Sequence, residues 1–153
     1  MNLLFDTNII ISLVRDKTGS KVMDYLNPEG KIVYISFANV AEIQSIAFQN
    51  GWGRAKMNQL SAFFEEVRII DISDLLLNTY IDIDGFSQRN HPDYKHYGFK
   101  TPRNMGKNDF YIAATASLLN LCLITTDGDF DHLHDTFLNV RKILPIELQQ
   151  ILK

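Results

Sequence analysis

Apolar residues in this chain follow two rhythms, short continuous runs and longer helical stripes, and the two alternate from one end to the other. Residues 2–5 make a short run that predicts a buried strand, continuously apolar as parallel strands are. A helix beginning at Thr7 or Asn8 then carries Ile9, Ile10, Leu13 and Val14. A second helix is expected from about Ser20 to Leu26, stopped by Asn27-Pro28-Glu29-Gly30. Lys31 to Ile35 predicts the next strand, and Ser36 or Asn39 begins a helix with Val40, Ile43, Ile46 and Ala47 at helical spacing. Gly51-Trp52-Gly53 breaks that helix, and another spans Arg54 to Glu66. Val67 to Ile72 predicts a third strand, and Ser73 caps a long helix from Asp74 to about Gln88.

Residues 89–106 show neither rhythm. A helix over Lys107 to Asn120, a strand over Leu121 to Thr125 and a short turn or helix over Phe130 to Leu133 follow. Asn139 to Ile143 predicts the last strand, and Pro145 opens a C-terminal helix. Strands alternating with helices in this way imply a three-layer α/β/α domain with a mostly parallel central sheet, one domain over 1–153. No internal repeat or linker interrupts it.

Composition narrows the class. A chain of 153 residues can bury roughly 68–70% of its unfolded surface. With 46% apolar and 22% charged residues it is expected to be soluble and globular. No run approaches the ~20 apolar residues of a membrane helix, and the N-terminus lacks the basic start of a secretory signal. The single cysteine, Cys122, lies in an apolar strand and is expected to be a buried, inert thiol, consistent with a reducing cytoplasm. A net charge of −3 is unusual for a nucleic-acid partner. Four acids engaged with a cation would leave the remainder slightly basic.

Asp6 ends the first strand run and Asp127 ends the run over Leu121 to Thr125. In an open parallel sheet the carboxyl ends of strands share one edge, where ligands bind. Glu42 and Asp109 sit on the helices that follow, so all four carboxylates are expected at that edge with no matching Lys or Arg nearby in sequence. Such a cluster repels itself unless hard cations such as Mg²⁺ or Mn²⁺ occupy it. Each acid also has a plainer role available. Asp6 can be an ordinary N-cap, as can Asn8. Glu42 falls at N3 if Asn39 is the cap, which makes a capping box. Asp109 can simply complement a helix dipole, and Thr125-Thr126-Asp127-Gly128-Asp129-Phe130-Asp131 can be an acidic turn. Within that run Asp127 is the first candidate for the fourth position and Asp129 the second, with Asp131 a cap or solvent residue.

Taken in order, a strand ending in Asp6-Thr7-Asn8, Glu42, the helix start Asn108-Asp109-Phe110-Tyr111-Ile112-Ala113-Ala114, and Thr125-Thr126-Asp127-Gly128-Asp129-Phe130 resemble the PIN-domain ribonucleases. Among these the chain is most similar to the VapC-type toxins of toxin–antitoxin pairs, over Asn2 to about Pro145. The resemblance implies a PIN-like fold and an acidic quartet on Asp6, Glu42, Asp109 and Asp127, with Asp129 the substitute for the last. It also implies Mg²⁺- or Mn²⁺-dependent cleavage of RNA by a homodimer held in check by an antitoxin. Asn8, Thr126 and Lys107 are candidate helpers, and Thr125 and Thr126 are candidates to hold a water or a phosphate.

The segment His91 to Lys107 is longer than a compact member of that family needs. It carries Lys95, Lys100, Arg103 and Lys107 against one acid, Asp93, with Tyr94, Tyr97 and Phe99 between them. Basic groups interleaved with aromatic platforms suit single-stranded RNA. A solvated loop with anchoring aromatics gives the same pattern. His91 and His96 lack partners for a metal site. Trp52, Met57 and Phe64 suit either a dimer surface or the core. A haloacid-dehalogenase-type phosphatase needs a second acid where this chain has Asn8, and a response-regulator receiver needs a paired acid beside Asp6. The remaining alternative to the nuclease is a PIN-like module that has lost turnover and only binds RNA or protein.

Overall fold

The computed structural model describes residues 1–153. Its five strands, β1 (Leu3–Phe5), β2 (Val33–Ser36), β3 (Arg68–Ile70), β4 (Cys122–Thr125) and β5 (Asn139–Lys142), form one sheet in the order β3-β2-β1-β4-β5. Every pairing is parallel, so the expected mostly parallel sheet is wholly so. The helices are α1 (Thr7–Arg15), α2 (Lys21–Leu26), α3 (Phe37–Gln49), α4 (Arg54–Glu66), α5 (Leu77–Ser87), α6 (Lys107–Leu118) and α7 (Pro145–Leu152).

The strands are continuously apolar because both faces are covered. Leu3 and Phe5 point into one core with Ile9, Ile10, Leu60, Phe63 and Leu148, from α1, α4 and α7. Leu4 points the other way, into a core with Ile83, Phe86, Ile112, Ala113 and Ala116 from α5 and α6. Pleating alternates successive side chains between the two layers, so a three-residue strand is enough to stitch both cores together. The small residues of α6 let it lie close on the sheet, and Ala113, Ala114 and Ala116 are fully buried. Helix α3 is shared: Val40 and Ile43 join the first core, Ala38 the second, and the helix contacts both α1 and α6. That bridging position brings its residues to the carboxyl edge of the sheet.

Several expectations need correction. Helix α3 is capped by Ser36, whose Oγ accepts from the Ala38 amide at 3.1 Å, while Asn39 Oδ1 accepts from the Ser36 amide at 2.9 Å. Asn39 therefore occupies N3 of the capping box, and Glu42 lies one turn further along, free of any capping duty. The helix after Ser73 begins as a single 3₁₀ turn, Asp74–Leu76, before α5. Helix α6 stops at Leu118, with Asn120 in the left-handed region at φ 53° as a common helix terminator. Cys122 is half-buried instead of buried, because as the first residue of β4 it faces an open cavity beside Met1, Asn139 and Arg141.

The aromatics of residues 89–106 are anchors. Tyr94, Tyr97 and Phe99 pack on Phe86 with ring centroids 4.9, 5.3 and 5.5 Å away, and Phe99 is buried. His132 stacks on the same Phe86 ring, and its Nε2 lies 2.7 Å from the buried Ser87 hydroxyl. The irregular segment is thus held against the second core, with Phe99 buried and Tyr94 and Tyr97 half-buried.

Candidate metal centre at the carboxyl edge of the sheet

The strand order places a topological switch between β1 and β4: the chain winds from β1 outward through β2 and β3, then returns to the other side of β1. Adjacent parallel strands leading in opposite directions leave a crevice at their carboxyl ends. Asp6 leaves β1 there, and Asp127 leaves β4 beside it, the two strands being in register at Phe5 and Ile124.

Asp6 is buried, and both of its oxygens are held. Oδ1 accepts from the Thr7 amide at 2.8 Å and Oδ2 from the Thr125 hydroxyl at 2.7 Å. Burial raises its pKa, the bonds from Thr125 and Thr7 offset part of that, and the Asp127 charge raises it again. Thr125 thus fixes an acid and has no place holding a phosphate. Asn8 is exposed and makes no bond to Asp6.

Asp127 does cap a 3₁₀ turn over Gly128–Leu133, its Oδ1 accepting from the Asp129 amide at 2.9 Å. The same turn carries Asp129, itself exposed, alongside Asp127. Oxygens of Asp109, Asp127 and Asp129 all lie within 4.8 Å of one another, so both candidates for the fourth position converge on one point. Asp131 instead pairs with Lys142 at 2.6 Å on the surface.

Asp109 is the third residue of α6, whose cap, Gly106, offers no side chain to the free amides. Its pKa is pushed up to about 7 by burial first and then by the charges of Asp6, Asp127, Glu42 and Asp129. Every other acid of the cluster therefore acts on Asp109. Glu42 reaches in from α3: burial and the Asp6 charge raise its pKa, and Asn108 and Thr7 partly offset them. Its Oε2 accepts from the Thr7 hydroxyl at 3.4 Å, and its Oε1 is buried with no hydrogen-bond partner. Leaving such an acceptor unsatisfied costs about 1–3 kcal/mol unless something fills the gap.

None of the five acids takes part in an ion pair; the pairs are Lys31–Glu29, His91–Asp82, His134–Asp135 and Lys142–Asp131. Lys107 lines the mouth of the site with Glu42, Asn108 and Asp109 but bridges neither acid. Two unit charges about 5 Å apart repel by roughly 3 kcal/mol at an effective dielectric of 20. A proton or a cation must relieve that. The donor set is all carboxylate oxygen, which suits a hard divalent ion, and Glu42 keeps an oxygen with no hydrogen-bond partner. The residues fit such an ion.

The other sequence candidates lie further out. Lys95, Lys100 and Arg103 are exposed, and the Arg103 guanidinium sits 5.7 Å from the Phe99 ring centroid. Thr126 is partly exposed next to Asp127. His91 has both ring nitrogens engaged, Nε2 with Asp82 and Nδ1 with the Asp93 amide. Sequence reasoning missed Thr7 and Asn39 as parts of the site. Thr7 sat in the quoted Asp6-Thr7-Asn8 triplet, but only the fold shows its hydroxyl turned toward Glu42.

Fold and site together define an α/β protein of wholly parallel sheet with an acidic centre at the switch between its two middle strands. Residues 3–135 match the PIN domain family, and the chain belongs to it. Solved structures share the fold at low identity. VapBC2 from Rickettsia felis, bound to a DNA fragment from its promoter, is 21% identical with a TM-score of 0.71, over 93% of this chain and 98% of that one. FitAcB from Neisseria gonorrhoeae is 24% identical with a TM-score of 0.65, over 90% and 95%. A toxin–antitoxin complex from Klebsiella pneumoniae is 23% identical with a TM-score of 0.59, over 93% and 100%. No curated protein matches the chain in sequence. No helix is long and apolar enough to cross a membrane.

Proposed function

We propose that this chain is a divalent-metal-dependent endoribonuclease, the toxin of a type II toxin–antitoxin pair, acting on cytoplasmic RNA as a homodimer until an antitoxin binds it. The observation that carries the reading is the meeting of Asp109, Asp127 and Asp129 within 4.8 Å, with the charges of Asp6 and Glu42 acting on the same point and no basic side chain paired to any of them. The names of the structural neighbours add the biological setting: VapBC2 is crystallised on promoter DNA, and the Klebsiella pneumoniae relative is a toxin–antitoxin complex. Phe48, 88% exposed beside Trp52 and Met57, offers an apolar face for a second copy.

In this scheme Asp6, Glu42, Asp109, Asp127 and Asp129 are the ligand set. Mg²⁺ or Mn²⁺, when bound, supplies Lewis-acid stabilisation of phosphoryl oxygens and lowers the pKa of an attacking water for in-line displacement. Asp6 stays put because two hydrogen bonds already fix it, and the Asp127-to-Asp129 turn is fixed by its own cap. Asp109, with a pKa near 7, gives up its proton as the site fills. Lys107 at the mouth is the candidate to meet a phosphate, Asn8 and Thr126 are further candidates, and the exposed Lys95, Lys100 and Arg103 are candidate contacts for the RNA backbone. Recognition then rests chiefly on charge, since Phe99 is buried and Tyr94 and Tyr97 are half-buried against Phe86.

The test is incubation of wild type and Asp6→Asn with total RNA, with and without Mn²⁺, followed by mapping of new ends. Wild type with Mn²⁺ alone should generate them; equal cleavage by the variant would refute the assignment. Metal binding without cleavage of any RNA would favour the degenerate module.

A further inference from the structure

The capping box of α3 contains a group that capping does not need. At N3, only an acceptor is required to take the Ser36 amide, and Glu or Gln usually supplies it. Here the residue is Asn39, fully buried. Its orientation follows from its partners: a backbone N–H can only donate, so the atom 2.9 Å from the Ser36 amide is Oδ1, and the other is the Nδ2 donor. That buried donor must find an acceptor. It finds Thr7 Oγ1, on a different helix, at 3.2 Å. Once the Thr7 oxygen accepts from Asn39, its own proton is directed elsewhere, and Glu42 Oε2 lies 3.4 Å away. The last link is long for an O–H···O bond. With Oε2 engaged, Oε1 is the oxygen left buried and without a hydrogen-bond partner.

We infer that Asn39, acting through the Thr7 hydroxyl, is a positioning residue that sets the rotation of the Glu42 carboxylate and presents Oε1 as the ligand. The inference rests on the metal-centre reading above. The sequence carries the relay in two places, Thr7 after the first strand and Asn39 at the start of α3, and the fold joins them across the edge of the sheet. An Asn39 serving only as a cap would have no use for Nδ2, and a Thr7 serving only as a first-turn residue would have no use for its hydroxyl, since the Thr7 amide alone bonds Asp6.

Calorimetric titration of the full chain with Mn²⁺ tests this with five proteins besides wild type: Thr7→Val, Thr7→Ser, Asn39→Leu, Ser36→Ala and Asp6→Asn. Partners behind a metal ligand commonly contribute about 10–100-fold in affinity. Thr7→Val and Asn39→Leu should bind Mn²⁺ at least about 10-fold more weakly, whereas Thr7→Ser restores the hydroxyl and stays within about 3-fold of wild type. Ser36→Ala weakens the cap while keeping the amide that orients Asn39, so its affinity should match wild type. Should Asn39→Leu fail to fold, Thr7→Val decides between relay and cap, because it keeps the backbone bond to Asp6. Wild-type affinity in folded Thr7→Val overturns the relay and leaves the metal centre standing if Asp6→Asn has lost binding. No Mn²⁺ binding by wild type overturns both.

Discussion

Replacing Asp109 by asparagine is expected to stabilise the metal-free protein. Its carboxyl has a pKa near 7 in the fold, against an ordinary 3.8, because burial and the charges of Asp6, Asp127, Glu42 and Asp129 oppose ionisation. Well below pH 3.8, folded and unfolded chains both hold the proton, and the group has no effect on stability. Between pH 4 and 7 the unfolded chain releases the proton while the folded chain keeps it, so stability falls as pH rises; above 7 the penalty is constant. Three units would amount to about 4 kcal/mol in full. The side chain is only half-buried, solvent screens it, and a realistic penalty is about 1–2 kcal/mol. Asparagine keeps the shape and removes the charge. Urea unfolding in chelator should therefore show Asp109→Asn about 1–2 kcal/mol more stable than wild type at pH 8 and equal to it near pH 3. Saturating Mn²⁺ should reverse the order, since an ion at 100 times its Kd adds about 2.7 kcal/mol to the protein that binds it. A variant that is less stable at pH 8 in chelator, or equally stabilised at both pH values, would show that Asp109 bears no such repulsion.

Three further outcomes follow from the structure. Mn²⁺ affinity, measured by calorimetry, should rise about tenfold per pH unit up to pH 7 and flatten above it, with a proton released on binding, because Asp109 must ionise to become a ligand; a flat profile from pH 5.5 to 8 would contradict this. Phe99→Ala should cost about 3–5 kcal/mol of stability by urea unfolding, as a buried ring in the Phe86 cluster, while Lys100→Ala should leave stability within about 0.5 kcal/mol and lower the salt dependence of RNA binding by about 0.7 per lost phosphate contact.

Much of the fold is legible in the sequence because burial on both faces writes itself as short unbroken apolar runs. Leu3-Leu4-Phe5 and Leu123-Ile124 belong to two cores at once and admit no other reading. What misleads is local chemistry that serves two purposes. Ser36 and Asn39 are equally good helix starts, and only an Asn39 cap would put Glu42 in a capping box; Ser36 and Asn39 form that box between themselves. The aromatics of residues 89–106 carry the composition of an RNA platform, yet Phe86 and Phe137 supply partners that only the fold brings near. Asp127 is both a cap and a member of the acidic cluster, so the turn reading and the site reading hold together. Thr7 was hidden for a different reason: a hydroxyl directed at an acid 35 positions away leaves no local pattern.

Diffraction from crystals soaked in Mn²⁺, with the anomalous signal of the ion, addresses the shared carboxylate site most directly. A peak is predicted within coordination distance of oxygens from Asp109 and at least two of Asp6, Glu42, Asp127 and Asp129, and absent in Asp6→Asn. No peak there at millimolar Mn²⁺, or one held by a different set of side chains, would contradict a nuclease centre at this edge of the sheet.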